Sequence, residues 1–268
     1  MPDPRVPALL RAAHPLPTTA VTVLAAVLAL ATLSGPGRAV LVTAAVLSGQ
    51  LSIGWGNDLI DAPRDRAVGR VDKPLATGEL PTSTTRAACV AALVGTVVLS
   101  LACGIVAGMV HLVCVAAGWS YNLGVKATVV SFLPYAIAFG GLPLFVALVE
   151  PGATLPQWST VVAGALLGVG AHLVNVLPDL VDDEATGVRG LAHRIGPRAA
   201  TLLAVGSLTA ATAVIAVGAG AVPAGVLVLV VAAVFILAGV ALFGSGRAPF
   251  RAAIGIAVLD VLLLVVAR

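Results

Sequence analysis

The sequence predicts an all-α, polytopic membrane protein: one integral domain over residues 1–268, built on nine transmembrane helices. Three observations carry that expectation. Of the 268 residues, 59% are hydrophobic and only 10% charged, against roughly 45–50% and about 25% in a soluble domain. Too few charged groups exist to coat a globule of this size. The mean hydropathy is +1.08. Apolar runs of about 20 residues, the length that crosses a hydrocarbon core of about 30 Å, recur along the chain. The same figures argue against a soluble enzyme, a disordered chain or a nucleic-acid-binding domain. The pI of about 9.1 rests on 15 Lys and Arg against 12 Asp and Glu, too slight an excess to mark a nucleic-acid partner.

The first window, 18–34, follows Arg5 and Arg11 and ends in ATLSG, the outline of a secretory leader. The eight spans behind it favour a retained helix instead. The second window is 38–56. Residues 87–118 then run almost unbroken, too long for one helix in an ordinary bilayer. Gly104 and Gly108 are the turn signals there, which divides the run into 85–102 and 104–120. The fifth span, 127–149, carries Pro134 and Pro143 as kinks. Windows 158–178, 199–218, 222–243 and 249–267 complete the set. Cys89, Cys103 and Cys114 all lie in apolar stretches without a CxxC pair and read as packing residues.

With the N-terminus in the cytoplasm, thirteen of the fifteen basic residues fall in cytoplasmic segments and only Arg38 and Arg268 on the other face. That is the asymmetry of the positive-inside rule. The expected location is therefore integral to a membrane, with the N-terminus and the charged loops cytoplasmic, in the plasma membrane of a prokaryote.

The acids are more informative than the bases. Five lie after the second span (Asp58, Asp61, Asp65, Asp72, Glu79) and four at the end of the sixth (Asp179, Asp182, Asp183, Glu184). Spacings of three and four place Asp58, Asp61 and Asp65 on one helix face, and the second patch follows the same logic. Like charges so arranged repel by a few tenths of a kcal/mol per pair, roughly, so something positive must hold them together. Hard oxygen ligands suit Mg²⁺, which takes one or two carboxylates, waters and substrate phosphates. Arg66, Arg70, Lys73, Lys126 and Arg189 flank the two patches, and such a set could hold a diphosphate through bridging metal ions. This is the chemistry of ionising an allylic diphosphate. A single DxxD would read as a solvated helix end; two patches on one predicted face argue for a site. Pro63 and Pro178 threaten the helical alignment of Asp65 and Asp179.

At these residues the chain resembles the UbiA superfamily of intramembrane prenyltransferases. Asn57-Asp58-x-x-Asp61-x-x-x-Asp65 matches the family's first motif, and Arg70-Val71-Asp72-Lys73-Pro74-Leu75-Ala76-Thr77-Gly78 resembles its continuation. Asp179 and Asp183 match the second motif, with Gly187 and Arg189 downstream. Tyr121 and Lys126 resemble the element after the fourth span. Ala127 and Val188 stand where the family often has a basic residue.

The resemblance implies a central cavity capped by cytoplasmic loops, in which Asp58, Asp61, Asp65, Asp179 and Asp183 bind Mg²⁺. Asn57, Arg66, Arg70, Lys73, Tyr121, Lys126 and Arg189 would then bind the diphosphate. Asp58, Asp61, Asp179 and Asp183 are the expected catalytic residues. The implied partners are a prenyl diphosphate, a lipophilic or aromatic acceptor and membrane lipid, with no nucleic acid and no protein partner indicated. A terpene cyclase or a phosphoribosyltransferase of lipid phosphates would use the same motifs. A transporter is the non-enzyme alternative, although its carboxylates would be expected nearer the membrane midplane.

Several residues admit a plainer reading. His172 suits core packing as well as a pocket, and Asn175 and Gln50 extend polar faces. Asp260 is an intramembrane acid without an evident partner. Trp55, Trp119 and Trp158 fit an aromatic belt, and Phe132, Tyr135 and Phe139 fit lipid-facing packing.

Overall fold

The structure, a computed structural model, describes residues 5–152, 154–180, 183, 187–218, 222–244 and 248–266, the side chains of Arg5 and Asp179 excepted. Asp182, Glu184, Arg247 and Arg268 lie outside the described residues. The helices are α1 Arg5–Ala12, α2 Pro15–Thr32, α3 Pro36–Ala67, α4 Pro74–Thr77, α5 Thr82–Ala102 and α6 Ile105–Asn122. They continue as α7 Leu133–Leu148, α8 Trp158–Val176, α9 Leu191–Gly218, α10 Ala224–Phe243 and α11 Ala248–Val266. Short 3₁₀ turns cover Val125–Ala127 and Leu177–Asp179. All regular structure among the described residues is helical, as a lipid environment requires of any span that is not a closed barrel.

Eight of these helices are long and apolar enough to cross a bilayer. The expected fifth span, 127–149, is instead the 16-residue α7, entered through the 3₁₀ turn and further turns at 128–132. Sixteen residues reach about 24 Å, short of a core of about 30 Å. The second span is longer than its apolar window. The 32 residues of α3 reach about 48 Å and run straight through Pro63, so the aspartate motif is the end of the spanning helix itself and not a loop after it. The division at Gly104 stands: with φ of 111° it takes a backbone conformation that L side chains rarely adopt, and it separates α5 from α6. The expected seventh span begins earlier, at Leu191, and bends at Gly196–Pro197. Ahead of α2 the sequence hid a separate short helix, α1.

The helices pack in chain order into a ring: α2 on α3, α3 on α5, then α5 through α11 each on the next, with α11 returning to α2. Leu173, Leu208 and Ile256 are fully buried where α8, α9 and α11 meet. Val42 and Phe145 are fully buried and Leu28 nearly so where α2, α3 and α7 meet; Val265 of α11 packs on that second cluster and closes the ring. Lipid tails are as apolar as leucine, so such interfaces depend on close backbone approach. Gly164 and Gly168 of α8 supply it: a Cβ there would lie 2.6 Å from the Phe139 carbonyl oxygen and 2.3 Å from that of Tyr135.

Arg38 and Glu150 pair at 3.1 Å, joining the start of α3 to the end of the α7 segment. Asp58 lies 20 residues further along α3, about 30 Å away, a hydrocarbon thickness. The two charged ends of the bundle therefore sit on opposite membrane faces.

Candidate functional site

The last three turns of α3 present the first acidic patch, and each carboxylate has a defined setting. Asp58 is 2% exposed. Its Oδ1 accepts from Lys73 Nζ at 2.7 Å and from His14 Nε2 at 2.8 Å. Its Oδ2 is buried without a hydrogen-bond partner. Asp61 takes both oxygens to Lys126 Nζ, each at 2.8 Å. The Asn57 amide donates to Asp61 Oδ2 at 3.1 Å and to Asn122 Oδ1 at 3.1 Å, while Asn122 donates to the Ile53 carbonyl. Asp65 is buried, with the Arg64 guanidinium 3.3 Å from Asp61 and 4.0 Å from Asp65. The three acids do share one face across Pro63, and cations meet it from three directions: α3 itself, the α4 turn and the turn after α6.

The loop after α3 folds back over this face. Arg66 donates to the Leu75 carbonyl at 3.1 and 3.3 Å, which holds the four-residue α4 in place. Arg70 grips Asp72 with two hydrogen bonds of 2.7 and 2.8 Å, and that grip draws the exposed Asp72 carboxyl down to about 2. Of the basic residues expected at the site, Lys73 and Lys126 therefore reach the aspartates, whereas Arg66 and Arg70 shape the loop above them.

The second patch follows α8. Asp179 ends the 3₁₀ turn, and its side chain lies outside the described residues. Asp183 is half-buried, and its carbonyl accepts from Val188 N at 2.9 Å. At Gly190 a Cβ would stand 2.6 Å from the Lys126 carbonyl oxygen and 3.0 Å from Ser131 Oγ. Next to it, Leu191 N donates to Ser131 Oγ at 3.0 Å. Arg189 is exposed on this segment. Lys126 thus has two attachments: its ammonium holds Asp61, and its carbonyl lies against Gly190, seven residues beyond Asp183. The first acidic motif and the segment downstream of the second are thereby tied to one lysine.

Below Lys126 lies an aromatic wall. Tyr121 meets Tyr135 edge-on at 5.4 Å and His172 edge-on at 5.7 Å; Tyr135 lies 5.1 Å from His172 and stacks on Phe139 at 6.4 Å. Tyr135 and Phe139 are therefore interior to the bundle, not lipid-facing, because Gly164 and Gly168 draw α7 onto α8. His172 is buried and bonded to Ser131 at 3.0 Å, while Asn175 is exposed. Trp55 and Trp119 also turn inward: Trp55 Nε1 donates to the Leu9 carbonyl and Trp119 Nε1 to Ser52 Oγ. Trp158, by contrast, is 68% exposed. Asp260 is buried far along α11 and accepts from Thr212. An apolar groove of about 490 Å³, lined by Ile105, Met109, Val113, Cys114, Ile137 and Leu144, runs along the exposed side of α6 and α7, away from the carboxylates.

Sequence reasoning missed His14, Arg64, Asn122 and Ser131. Asn122 adjoins Tyr121 and so lay within a stretch already singled out. His14 is 44 residues from Asp58 and carried no signal of its own. Among the described residues no three His, Cys, Asp or Glu side chains converge into a ready-made metal centre. Mg²⁺ is held by one or two carboxylates together with substrate phosphates. The buried, unpartnered Oδ2 of Asp58 is a donor such an ion would satisfy.

Residues 16–253 match the model of the UbiA prenyltransferase family. No curated protein matches the chain. Among solved structures, a UbiA homologue from Archaeoglobus fulgidus bound to GPP and Mg²⁺ superposes with a TM-score of 0.75 at 19% identity, over 97% of this chain and 100% of that one. The apo structure of a UbiA homologue from Aeropyrum pernix K1 gives 0.72 at 18% identity, over 98% of both chains. These likenesses establish the fold.

Proposed function

The chain belongs to the UbiA prenyltransferase family, and from that premise we propose that it transfers a prenyl group from a prenyl diphosphate to a lipophilic acceptor, most simply an aromatic ring, within the membrane. The observation that carries the reading is the double contact of Lys126, which brings Asp61 and the segment after Asp183 to one place. The Archaeoglobus homologue bound to GPP and Mg²⁺ supports the same substrate class here.

Asp58, Asp61 and Asp65, with Asp179 and Asp183, are the residues that would hold Mg²⁺. When bound, the ion supplies positive charge at the pyrophosphate oxygens. Lys73 and Lys126 bring fixed cations to the diphosphate, and Asn57 and Asn122 hold Asp61 in register beneath it. Cleavage of the allylic C–O bond leaves its electron pair on pyrophosphate. The carbocation then faces Tyr121 and Tyr135, whose π-faces favour positive charge. Apolar helices exclude the water that would quench it. The acceptor's π-electrons form the new bond, and the acceptor loses a proton. Asp58 lies on the face where the basic residues concentrate, so we assign the diphosphate end to the cytoplasmic side.

The test is incubation of membranes carrying the protein with labelled prenyl diphosphates of several chain lengths, with and without aromatic acceptors and chelator, and identification of products by mass. Chelator-sensitive release of pyrophosphate with a prenylated product is expected. Ion uptake into vesicles without diphosphate turnover would replace this reading with transport.

A further inference from the structure

Resting on the diphosphate-site reading above, we propose that His14 is a positioning residue of that site, holding one oxygen of Asp58 so that the other stays free for a cation. His14 is the one non-glycine residue with positive φ among the described residues, at 51°. It forms the junction between α1 and α2. A junction needing only to turn would be filled at less cost by glycine or asparagine. Strain of this kind persists where the surrounding structure imposes it.

The surroundings impose it here through four contacts. The Leu9 carbonyl accepts from Trp55 Nε1 at 2.9 Å, and Arg11 pairs with Glu79. The Ala13 carbonyl accepts from Thr18 Oγ1 at 2.7 Å. That same carbonyl oxygen lies so near α3 that a Cβ on Gly54 would stand 2.5 Å from it. Ala8, Ala12 and Ala13 are buried beneath this strap. The result aims the imidazole at the aspartate face.

The hydrogen-bond logic then gives the role. A carboxylate oxygen only accepts, so the role assigned here requires the tautomer with its proton on Nε2, which donates to Asp58 Oδ1 at 2.8 Å. Lys73 Nζ donates to the same oxygen at 2.7 Å and lies 3.1 Å from Nε2. Two donors thus converge on Oδ1, while Oδ2, equally buried, has none. A carboxylate pinned through one oxygen presents the other in a fixed direction. The arrangement resembles the outer-sphere partners that orient metal ligands in general.

The experiment uses the full-length protein in detergent, with geranyl diphosphate and Mg²⁺ as the probe. The native protein is compared with His14→Gly, His14→Gln and Asp58→Ala for affinity, turnover and unliganded Tm. His14→Gly removes the donor and relieves the backbone, so its Tm should hold or rise while affinity for geranyl diphosphate falls about tenfold or more, the scale of a lost hydrogen bond to a charged group. His14→Gln keeps a side-chain donor and should recover most of the affinity. Native affinity and turnover in His14→Gly overturn the proposal. So does an equal loss of Tm and affinity in both His14 variants, which would make the junction a structural strap alone. If instead Asp58→Ala binds and turns over like the native protein, or the native protein binds no geranyl diphosphate with Mg²⁺, it is the diphosphate-site reading that fails.

Discussion

Gly190→Ala tests the packing of the segment beyond the second motif onto Lys126 without touching any charged group. The added Cβ would stand 2.6 Å from the Lys126 carbonyl oxygen and 3.0 and 3.3 Å from Ser131 Oγ and Cβ. Ordinary contact begins near 3.4 Å, so the segment must withdraw by about 1 Å. The backbone carbonyl cannot rotate aside as a flexible side chain would. Withdrawal would stretch the 3.0 Å bond from Leu191 N to Ser131 and disturb the Ser131–His172 contact behind it. Overpacking of this kind costs about 1–3 kcal/mol of stability. Misplacement by about 1 Å of a group that positions substrate can lower turnover about 10²-fold. The assay is Mg²⁺-dependent turnover of prenyl diphosphate alongside Tm in detergent, with Gly206→Ala as control, since nothing lies within 4 Å of a Cβ at Gly206. The control should keep native turnover. If Gly190→Ala also keeps native Tm and turnover, the inferred role of the Gly190–Lys126 contact in placing the segment beyond the second motif is wrong.

Three further outcomes follow from the same geometry. Asp58→Ala and Asp179→Ala should each abolish Mg²⁺-dependent turnover while the protein still inserts into membranes; full activity in both refutes the assignment. Lys126→Met leaves the buried Asp61 carboxylate without its main partner, a loss of about 3–5 kcal/mol for a broken buried pair, read as a fall in Tm together with weakened diphosphate binding. The Arg70 grip holds Asp72 at about 2, below its ordinary value. A depressed carboxylate contributes stability above its unfolded value, and that contribution is lost as pH falls through the folded one. The Tm difference between the native protein and Asp72→Asn should therefore be full above about pH 4 and close toward pH 2. Because both side chains are largely exposed, the difference should be small.

Much of the architecture was legible because lipid imposes a simple demand: each spanning segment must satisfy its own backbone, so hydropathy and length report the spans. The unbroken run at 87–118 shows how far this goes. Length alone required a break, and Gly104 marked where. The same reasoning misjudged α3 and α7, because helical continuity through Pro63 and the 3₁₀ entry to α7 depend on what packs beside them. Asp58, Asp61 and Asp65 were legible as a set since helical spacing is a local property. Lys73 and Lys126 could be named from their motifs, but not distinguished from Arg66 and Arg70.

The amino-acid sequence on its own determined that this is a helical membrane protein with two acidic motifs at its polar end, since composition, periodicity and motif spacing are properties of a single chain segment. Only the tertiary structure decided that Lys126 ties Asp61 to the segment beyond the second motif, that Tyr135 faces inward, and that His14 reaches Asp58 from the junction after a short helix the hydropathy pattern does not reveal. Those outcomes depend on ångström-scale approaches between distant segments, at Gly54, Gly164, Gly168 and Gly190, where the absence of a side chain lets two backbones meet.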